Sequence, residues 1–324
     1  MSKKYVKASA PSQAFLLGEH AVLYGSPALA LSIDRRSSST ASELDKGNIR
    51  IKSDLGVYEE VNGKVVIDNE DLSKLSLGLK ILLERYEIRQ GVQLEIASEV
   101  PIGSGMASSA SVAAAISKSI DGLFDLNLTN RELLEAVYAF ERIIHGKASK
   151  TGPACAVFGG VIWIEWKGNS MEATSLGYRE VPLVMACTGS PSPTKEMIDK
   201  VLSFKESFPE IHSFIVDSIR NVVILGKAAI EKEDLNELGR LMNINQGFLY
   251  SLGVSSEDIE RIVWTARRKG AMGSKLSGAG GGGCVVSIHE DPSWLARELL
   301  TVSKTAFPAS VSIEGARLEG ITYK

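Results

Sequence analysis

The sequence predicts an α+β protein with two domains, and three observations support this prediction. The first half is rich in strand-like segments, whereas the second half is rich in helical segments with strands returning near its end. Runs of this kind are typical of the α+β class. The 324 residues suffice for two domains that each bury a core. The composition changes near residues 170–182, so we place the domains at residues 1–175 and 176–324.

The first half begins with short runs of β-branched and aromatic residues. The strands predicted from these runs cover residues 5–10, 28–33, 49–52, 57–61 and 64–67. Asn62 and Gly63 separate the last two strands and predict a hairpin. A helix is predicted over residues 72–86, where leucines form a broad apolar face, and a strand over residues 92–98 follows.

The later elements follow from capping and periodicity. Thr129 and Glu132 have the spacing of a capping box, which predicts a helix that runs to Ile144 before a strand at residues 158–165. In the second half, helices are predicted over residues 194–204, 211–230, 235–249, 256–269 and 292–303. Strands are predicted there over residues 181–187, 273–276, 284–288 and 310–313.

Residues 101–111 (PIGSGMASSAS) form a glycine- and serine-rich turn between a predicted strand and an alanine-rich helix. Glycines let backbone N–H groups converge on an anion, and the start of the following helix adds its positive end. The hydroxyls of Ser108 and Ser109 suit phosphate or Mg²⁺. No Lys-Ser/Thr pair follows the glycines, so this turn is not a Walker loop. The alternative is a glycine turn that only precedes a packed helix.

A second glycine cluster occupies residues 275–284 (KLSGAGGGGC), between two short strand-like runs. Successive glycines cost conformational entropy, and close approach of the backbone to a ligand is the usual compensation. A β-hairpin loop with many glycines is the alternative. Two turns suited to anions in one chain favour a nucleoside triphosphate as the ligand.

Bulk composition excludes several classes of protein. The formal net charge of −3 gives no basic surface for nucleic acid. No apolar run approaches the roughly 18 residues of a membrane span, and the N-terminus lacks the apolar core of a secretory signal. Three widely spaced cysteines, Cys155, Cys187 and Cys284, favour small buried hydrophobic residues in a reducing cytoplasm over a disulfide scaffold or a zinc site. We therefore expect a cytoplasmic protein without nucleic-acid or membrane partners.

Both glycine-rich turns, taken with residues 9–25 (SAPSQAFLLGEHAVLYG), resemble the three motifs of the GHMP kinase family and occur in the family's order. Residues 241–254 and residues 194–196 are similar to those of mevalonate kinases of the archaeal kind. The resemblance spans essentially the whole chain. It implies a ribosomal-protein-S5-like N-terminal domain and a ferredoxin-like C-terminal domain, with ATP bound in the cleft between them.

The resemblance also implies which residues bind ATP and Mg²⁺. The nucleotide-binding set comes from the two glycine-rich turns and comprises Pro101, Gly103, Ser104, Gly105, Ala107, Ser108, Ser109, Ser277, Gly278, Ala279 and Gly280. One serine of the first turn, Ser108 or Ser109, and Glu141 on the following helix are implied to hold Mg²⁺. A solvated helix carboxylate is the alternative for Glu141.

For the acceptor pocket, Glu19 and His20 match the family's pair, and the alternative for His20 is a structural histidine in a loop. The substrate-binding residues expected here are Glu19, His20, Lys147, Ser149, Lys150 and Thr194. Both lysines either are exposed in a loop or face the cleft and bind a more anionic ligand. The implied partner is mevalonate or a mevalonate phosphate, and related proteins are often homodimers.

The sequence departs from the family at two catalytic positions. The family has Ala-Pro-Gly-Lys in its first motif, whereas residues 10–13 are Ala-Pro-Ser-Gln, which puts Gln13 at the lysine. It also has an aspartate in a segment like His-Gly-x-Pro-Ser-Gly-x-Asp, and counting from His145 puts Gly152 at the aspartate. The loss of general-base help alone costs about 10²–10⁴-fold in rate. Because one positive and one negative charge are lost together, no buried charge is left unpaired, and the fold should tolerate the change.

Three functions remain open on these residues. The first is an ATP- and Mg²⁺-dependent kinase acting on a hydroxyl of mevalonate or a close relative in isoprenoid biosynthesis, with reduced or altered catalysis. The second is a non-catalytic protein that keeps the kinase fold and binds ATP or a metabolite. The third is an ATP-independent lyase acting on a phosphorylated mevalonate.

Overall fold

The structure is a computed structural model that describes residues 3–323 apart from residues 102, 147 and 169. Its strands, in chain order β1 to β13, are Lys4–Leu17, Ala28–Leu44, Ile49–Ser53, Gly56–Val61, Lys64–Ile67, Gly91–Ser98, Val161–Lys167, Ser170–Ser175, Leu183–Cys187, Gly273–Ser277, Cys284–Ile288, Thr305–Ala309 and Arg317–Tyr323. Its helices, in chain order α1 to α9, are Glu70–Arg85, Ser108–Leu123, Asn130–His145, Thr151–Phe158, Thr194–Ser207, Pro209–Glu231, Leu235–Ser251, Glu257–Arg268 and Pro292–Leu299. These elements confirm the α+β class.

Two sheets organise the chain. The larger sheet has the order β13-β1-β2-β6-β3-β4-β5, and β7 and β8 extend it from β2. The smaller sheet has the order β10-β11-β9-β12. The strand β8 ends at Ser175 and β9 begins at Leu183, so the predicted domain boundary lies between the two sheets. The last strand, β13, nevertheless pairs with β1 and returns the C-terminal residues to the larger sheet.

The core has two parts. One apolar cluster lies between the larger sheet and helices α1 to α4, and the other lies among the smaller sheet, the helices α5 to α9 and part of β1 and β2. Alternate side chains of β1 enter different clusters, with Phe15 in the first and Leu16 in the second. This alternation is the period-2 pattern of a strand with both faces covered. The long strand β1 is therefore shared by both cores.

Local sequence signals placed several elements correctly. The Thr129 hydroxyl accepts a hydrogen bond from the Glu132 N–H at 3.3 Å, and the Glu132 carboxylate accepts one from the Thr129 N–H at 2.9 Å, which confirms the capping box. The Asn62–Gly63 turn joins β4 to β5 as predicted. The helix α4, the strand β8 and the strand β13 were not predicted.

The strand predicted at residues 310–313 is wrong. The strand at this place is β12, Thr305–Ala309, and Val311 forms only an isolated bridge to Ile33. Pro308 argues against a strand because it lacks an N–H, but β12 lies at the edge of its sheet, where that donor is not needed on the outer side. The edge position is a tertiary property that local propensity does not contain.

The prediction for the cysteines is wrong at two of three positions. Cys187 and Cys284 form a disulfide, because they lie directly opposite one another on the neighbouring strands β9 and β11, with Cα atoms 3.9 Å apart. They are 97 residues apart in sequence, so their spacing did not indicate a pair. Cys155 is free and buried, and burial raises the pKa of its thiol to about 12. The argument from cysteine usage for a reducing compartment therefore does not hold.

Candidate active site

A cleft of about 780 Å³ lies where loops and helix ends from both halves of the chain meet. Its lining comes from β1, the start of α1, the turn before α2, the end of α3 and the start of α5. The turn between β10 and β11 closes one side. Both glycine-rich turns identified in the sequence therefore border the same cavity.

The first glycine-rich turn places the start of α2 in this cleft. Ala107 precedes the helix in a left-handed conformation with φ 53°, and among the described residues no side chain caps the helix start. The first backbone N–H groups of an α-helix have no partner within the helix. The N–H groups at Ser108 and Ser109, both residues of the cleft lining, are therefore suited to bind an anion.

The two glycine-rich turns touch each other. A Cβ on Gly278 would lie 2.7 Å from the carbonyl oxygen of Gly105, so this contact requires glycine. The Cys284 N–H donates to the Ser104 carbonyl at 2.9 Å and joins the second turn to the first. Within the second turn, Gly278 and Ala279 line the cleft.

Two of the residues expected to bind nucleotide have other contacts. The Ser277 hydroxyl accepts a hydrogen bond from the Phe15 N–H at 2.9 Å, and the Gly280 carbonyl accepts one from the Ser192 hydroxyl at 2.7 Å. Neither Ser277 nor Gly280 is among the described residues that line the cleft. They hold the second turn against β1 and against the segment before α5. The other described members of the expected nucleotide set line the cleft.

Glu141 lies in the cleft on α3 and is 7% exposed. Its Oε1 atom has no hydrogen-bond partner among the described residues. Burial raises the pKa of Glu141 to about 7, and the hydroxyl of Ser109 opposes this shift. The Ser109 hydroxyl also lies 3.1 Å from Nε2 of His145. A buried carboxylate oxygen without a donor is suited to a cation, and oxygen ligands are what Mg²⁺ prefers.

Glu19 is held by a buried lysine that the sequence analysis did not identify. Lys275 on β10 forms an ion pair with Glu19 and hydrogen bonds to the carbonyl oxygens of Phe15 and Leu276. The second carboxylate oxygen of Glu19 accepts from the side chain of Asn245 at 3.1 Å. Burial raises the pKa of Glu19 and lowers the pKa of Lys275, and their pairing opposes both shifts. The pair connects the segment after β1 to the smaller sheet.

His20 follows Glu19 and is fixed to the second glycine-rich turn. Its Nε2 lies 2.8 Å from the carbonyl oxygen of Ala279. Because a carbonyl oxygen only accepts, Nε2 carries the hydrogen. Burial lowers the pKa of His20, which favours the neutral ring. The neutral tautomer leaves Nδ1 as a hydrogen-bond acceptor on a residue of the cleft lining.

Gln13 and Gly152, the two residues expected at the family's lysine and aspartate positions, lie close together. Both line the cleft, and a Cβ on Gly152 would lie 3.9 Å from Oε1 of Gln13. The same Cβ would lie 2.9 Å from the Cβ of Ala107. The space where a side chain at residue 152 would begin is therefore partly filled by Ala107.

The other residues that were expected to bind substrate differ in their positions. Ser149 and Thr194 line the cleft, whereas Lys150 does not. The Lys150 ammonium lies 2.6 Å from the Glu135 carboxylate and lines a separate cavity of about 530 Å³. Lys150 therefore does not face the cleft, because its ammonium group pairs with Glu135 outside it. Lys147 lies outside the described residues.

The cleft also contains residues that sequence reasoning missed. They come from the β3–β4 turn, from α1, from the end of α3 and from the segment before α5, and they include Asp54, Asp71, Lys74, His145 and Ser192. Lys74 is the only lysine among the described lining residues, which include no arginine. These residues belong to no glycine-rich motif, and the folded arrangement of their elements brings them to the cleft.

Two wider features of the described residues restrict the kind of site. Across residues 3–323, leaving out the three gaps, no group of three or more His, Cys, Asp or Glu residues is arranged to hold a metal. A cation in the cleft would therefore depend on few protein ligands. In the same part of the chain, no helix is both long enough and apolar enough to span a membrane.

Comparison with known proteins agrees with this geometry. Residues 74–160 match the model of the GHMP kinases N terminal domain, and residues 227–304 match that of the GHMP kinases C terminal domain. A mevalonate kinase of Pyrococcus horikoshii is 35% identical over 98% of this chain and 99% of its own length. A mevalonate kinase of Aeropyrum pernix is 33% identical over 98% of this chain and 99% of its own.

Solved structures show the same fold. The mevalonate kinase of Methanococcus jannaschii superposes with a TM-score of 0.79 at 25% identity, covering 95% of this chain and 98% of that one. The L. major mevalonate kinase, solved in complex with R-mevalonate, superposes with a TM-score of 0.81 at 23% identity, covering 95% and 96%. The relatives from Pyrococcus horikoshii and Aeropyrum pernix, each matched over almost its whole length, are mevalonate kinases of archaea. The chain therefore belongs to the GHMP kinase family.

Proposed function

We propose that this protein is an ATP- and Mg²⁺-dependent kinase that phosphorylates a hydroxyl of mevalonate in isoprenoid biosynthesis, with slower catalysis than a kinase that has the usual lysine and aspartate. Full-length relatives named mevalonate kinase support the acceptor. The contacts within the cleft support the reaction.

One observation carries the proposal. The Glu141 carboxylate is buried in the cleft with an oxygen that lacks a partner among the described residues, and the uncapped start of α2 borders the same cavity. Burying a carboxylate without a partner is costly, and an uncapped helix start leaves N–H groups unpaired. A metal-bound polyphosphate satisfies both features at once. The unpaired carboxylate oxygen and the unpaired N–H groups lie in one cavity, and together they fit a nucleoside triphosphate with its metal.

Glu141, with the hydroxyl of Ser108 or Ser109, would hold Mg²⁺. When bound, Mg²⁺ supplies positive charge that offsets the negative charge of the phosphate oxygens. The backbone N–H groups at the start of α2 orient the phosphate chain from the other side. Gly278 and Ala279 border the cleft beside the proposed phosphate chain, because the second glycine-rich turn packs against the first.

Phosphoryl transfer forms one bond and breaks one bond at the γ-phosphorus of ATP. The acceptor hydroxyl oxygen bonds to the γ-phosphorus of ATP while the bond from that phosphorus to the bridging oxygen breaks, and ADP leaves with the electron pair. The hydroxyl proton passes late to water, since the phosphoryl-transfer transition state is loose and the nucleophile keeps its proton until bond formation is advanced. With no carboxylate at Gly152, positioning supplies most of the catalysis.

The charges of the cleft favour mevalonate over its phosphates. Its described lining residues include the carboxylates of Asp54, Asp71 and Glu141, against the single lysine Lys74. Glu19 does not add to this balance because Lys275 pairs with it. Gln13, at the family's lysine position, contributes no charge. A second anionic phosphate on the acceptor would therefore be poorly compensated.

A second candidate function is nucleotide binding without transfer. It is favoured by the absence of a carboxylate at residue 152, where Ala107 partly fills the space. The two functions share the nucleotide site and differ only in turnover. A kinetic assay therefore separates them.

The test incubates the purified protein with MgATP and mevalonate, then with mevalonate phosphates, and follows ADP, phosphate and CO₂. We expect ADP only when mevalonate is present. We expect Glu141→Gln to lower kcat about 10- to 100-fold. Glu84→Gln, at an exposed position of α1 outside the cleft, is the control and should keep wild-type turnover.

Other outcomes decide between the alternatives. ATP binding by calorimetry without ADP formation would replace the proposal with the second candidate. Release of phosphate and CO₂ without ATP would show a lyase. ADP formation only with a mevalonate phosphate would contradict the charge argument for the acceptor.

A further inference from the structure

Gln13 has a defined position in the cleft. Its backbone N–H donates to the Met106 carbonyl at 3.0 Å, which fixes this part of β1 against the first glycine-rich turn. Its side chain lines the cleft, and the residue is only 7% exposed. The amide therefore lies beside the proposed phosphate site on the strand β1, and its placement does not depend on a loop.

The amide oxygen of Gln13 lacks a donor. Oε1 is buried and has no hydrogen-bond partner among the described residues. It lies 3.9 Å from the position that a Cβ of residue 152 would take. A buried carbonyl oxygen without a donor costs free energy, so a ligand that supplies an O–H or N–H here would be favoured.

A side-chain amide has two complementary functions in one planar group. Its oxygen accepts hydrogen bonds and its NH₂ donates them. Its terminal torsion is soft, so the group can turn to serve two neighbours. A carboxylate at residue 152 would accept from the acceptor hydroxyl, and a lysine at residue 13 would donate to the transferred phosphoryl group. One glutamine offers an acceptor and a donor without a net charge.

We infer that Gln13 is a positioning residue that replaces the missing ion pair with one neutral group. Its Oε1 accepts a hydrogen bond from the acceptor hydroxyl across Gly152, and its Nε2 donates to an oxygen of the transferred phosphoryl group. This inference rests on the proposed kinase function. The bonds made and broken are those of the transfer described above, and the hydroxyl proton still goes to water, because an amide oxygen is too weak a base to keep it.

This arrangement aligns the reactants and provides no general base. Accepting the hydroxyl's hydrogen turns a lone pair of the attacking oxygen toward phosphorus. Donating to the phosphoryl oxygen stabilises charge that increases during transfer. Both contacts matter in the transition state, so their loss should lower kcat more than it raises KM.

The test compares two substitutions at residue 13 with a neighbouring control. Gln13→Met has a similar length but no strong hydrogen-bonding group. Gln13→Glu keeps the acceptor, loses the NH₂ donor and adds a group that titrates. Ser12→Ala is the control, because Ser12 is the adjacent buried residue on β1, its hydroxyl has no partner among the described residues, and it does not line the cleft.

We expect Gln13→Met to lower kcat with mevalonate about 10- to 100-fold, with the KM for ATP changed about threefold or less. Ser12→Ala should keep wild-type kcat. Gln13→Glu should turn over faster than Gln13→Met. As its new carboxylate ionises, its kcat should rise with pH by more than the rise that wild type and Gln13→Met share through Glu141. Thermal unfolding and binding of a fluorescent ATP analogue are measured for each variant. If Gln13→Met does not fold, the pH dependence of kcat in Gln13→Glu tests the inference.

The outcomes separate the two proposals. A wild-type protein that forms no ADP with mevalonate would overturn the proposed function and this inference together. An active wild type with unchanged kcat in Gln13→Met, or with a loss confined to KM, would overturn the inference alone. A Gln13→Glu variant whose kcat shows no added pH dependence would also overturn it, because its acceptor would then not contact the hydroxyl.

Discussion

The methyl group of Ala107 occupies the space in the cleft that a side chain at Gly152 would need. A Cβ on Gly152 would lie 2.9 Å from the Cβ of Ala107 and 3.3 Å from that of Ala110, and separations below 3.0 Å require the neighbour to shift. Ala107 has φ 53°, a left-handed conformation that glycine adopts more readily than alanine. The alanine at residue 107 and the glycine at residue 152 thus form a compatible pair.

This contact determines whether an aspartate at residue 152 can be accommodated together with a lysine at residue 13. We predict that Gln13→Lys with Gly152→Asp raises mevalonate turnover by about tenfold or more only when Ala107→Gly is added, because the new carboxylate then has room and can act as a base. Steady-state kcat at saturating ATP and mevalonate measures the effect. Equal turnover of the double and triple variants would show that Ala107 is no obstacle. An unchanged triple variant would show that Gly152 is not the aspartate position.

Glu141 should make stability depend on pH. Its pKa is about 7 in the folded protein, against an ordinary value of 4.5, because of burial. Between these values the folded protein holds a proton that the unfolded chain releases, so the free energy of unfolding falls as pH rises. The stabilisation is complete below pH 4.5 and is lost above about pH 7. The loss amounts to roughly 3 kcal/mol.

Urea unfolding of wild type and Glu141→Gln between pH 5 and pH 8, in EDTA, measures this dependence. We expect the variant to gain stability relative to wild type as pH rises, and Mg²⁺ to reduce that difference because it stabilises the carboxylate. Glu84→Gln, at an exposed position of α1, serves as the control. Parallel stability curves for wild type and Glu141→Gln would contradict the raised pKa.

The Glu19–Lys275 pair should behave as a buried unit. Lys275 is 0% exposed and Glu19 is 1% exposed, so removing one partner leaves an unpaired charge in the interior. We predict that Lys275→Met lowers the free energy of unfolding by about 3–5 kcal/mol, and that adding Glu19→Gln recovers most of this loss. Urea unfolding of the two single variants and the double variant forms a double-mutant cycle. Additive effects would mean that the two residues are not coupled.

The disulfide determines how many thiols of the protein can react with a thiol reagent. Cys187 and Cys284 are bonded and Cys155 is free, so the unfolded protein should react with one equivalent of thiol reagent without reductant and with three after reduction. Because the bond closes a loop of about 100 residues, reduction should lower stability by about 4–5 kcal/mol on the chain-entropy model. Three reactive thiols without reductant would contradict the pairing.

The structure confirms several elements that local patterns predict and adds contacts between residues that are far apart in the chain. Capping by Thr129 and Glu132 depends on residues three apart, so the sequence alone predicted it. The first glycine-rich turn and the helix after it are also adjacent in the chain. By contrast, β13 pairs with β1 although the two strands lie near opposite ends of the sequence, and no local pattern predicts this partner.

The sequence by itself determined the α+β class, the two glycine-rich turns and the absence of charge at Gln13 and Gly152. These features depend on residue types and on short spacings. Only the tertiary structure decided that Lys275 neutralises Glu19, that Lys150 pairs with Glu135 outside the cleft, and that Ala107 occupies the space beside Gly152. Each of these is a contact between residues brought together by folding, and its energy depends on burial and distance that a linear chain does not specify.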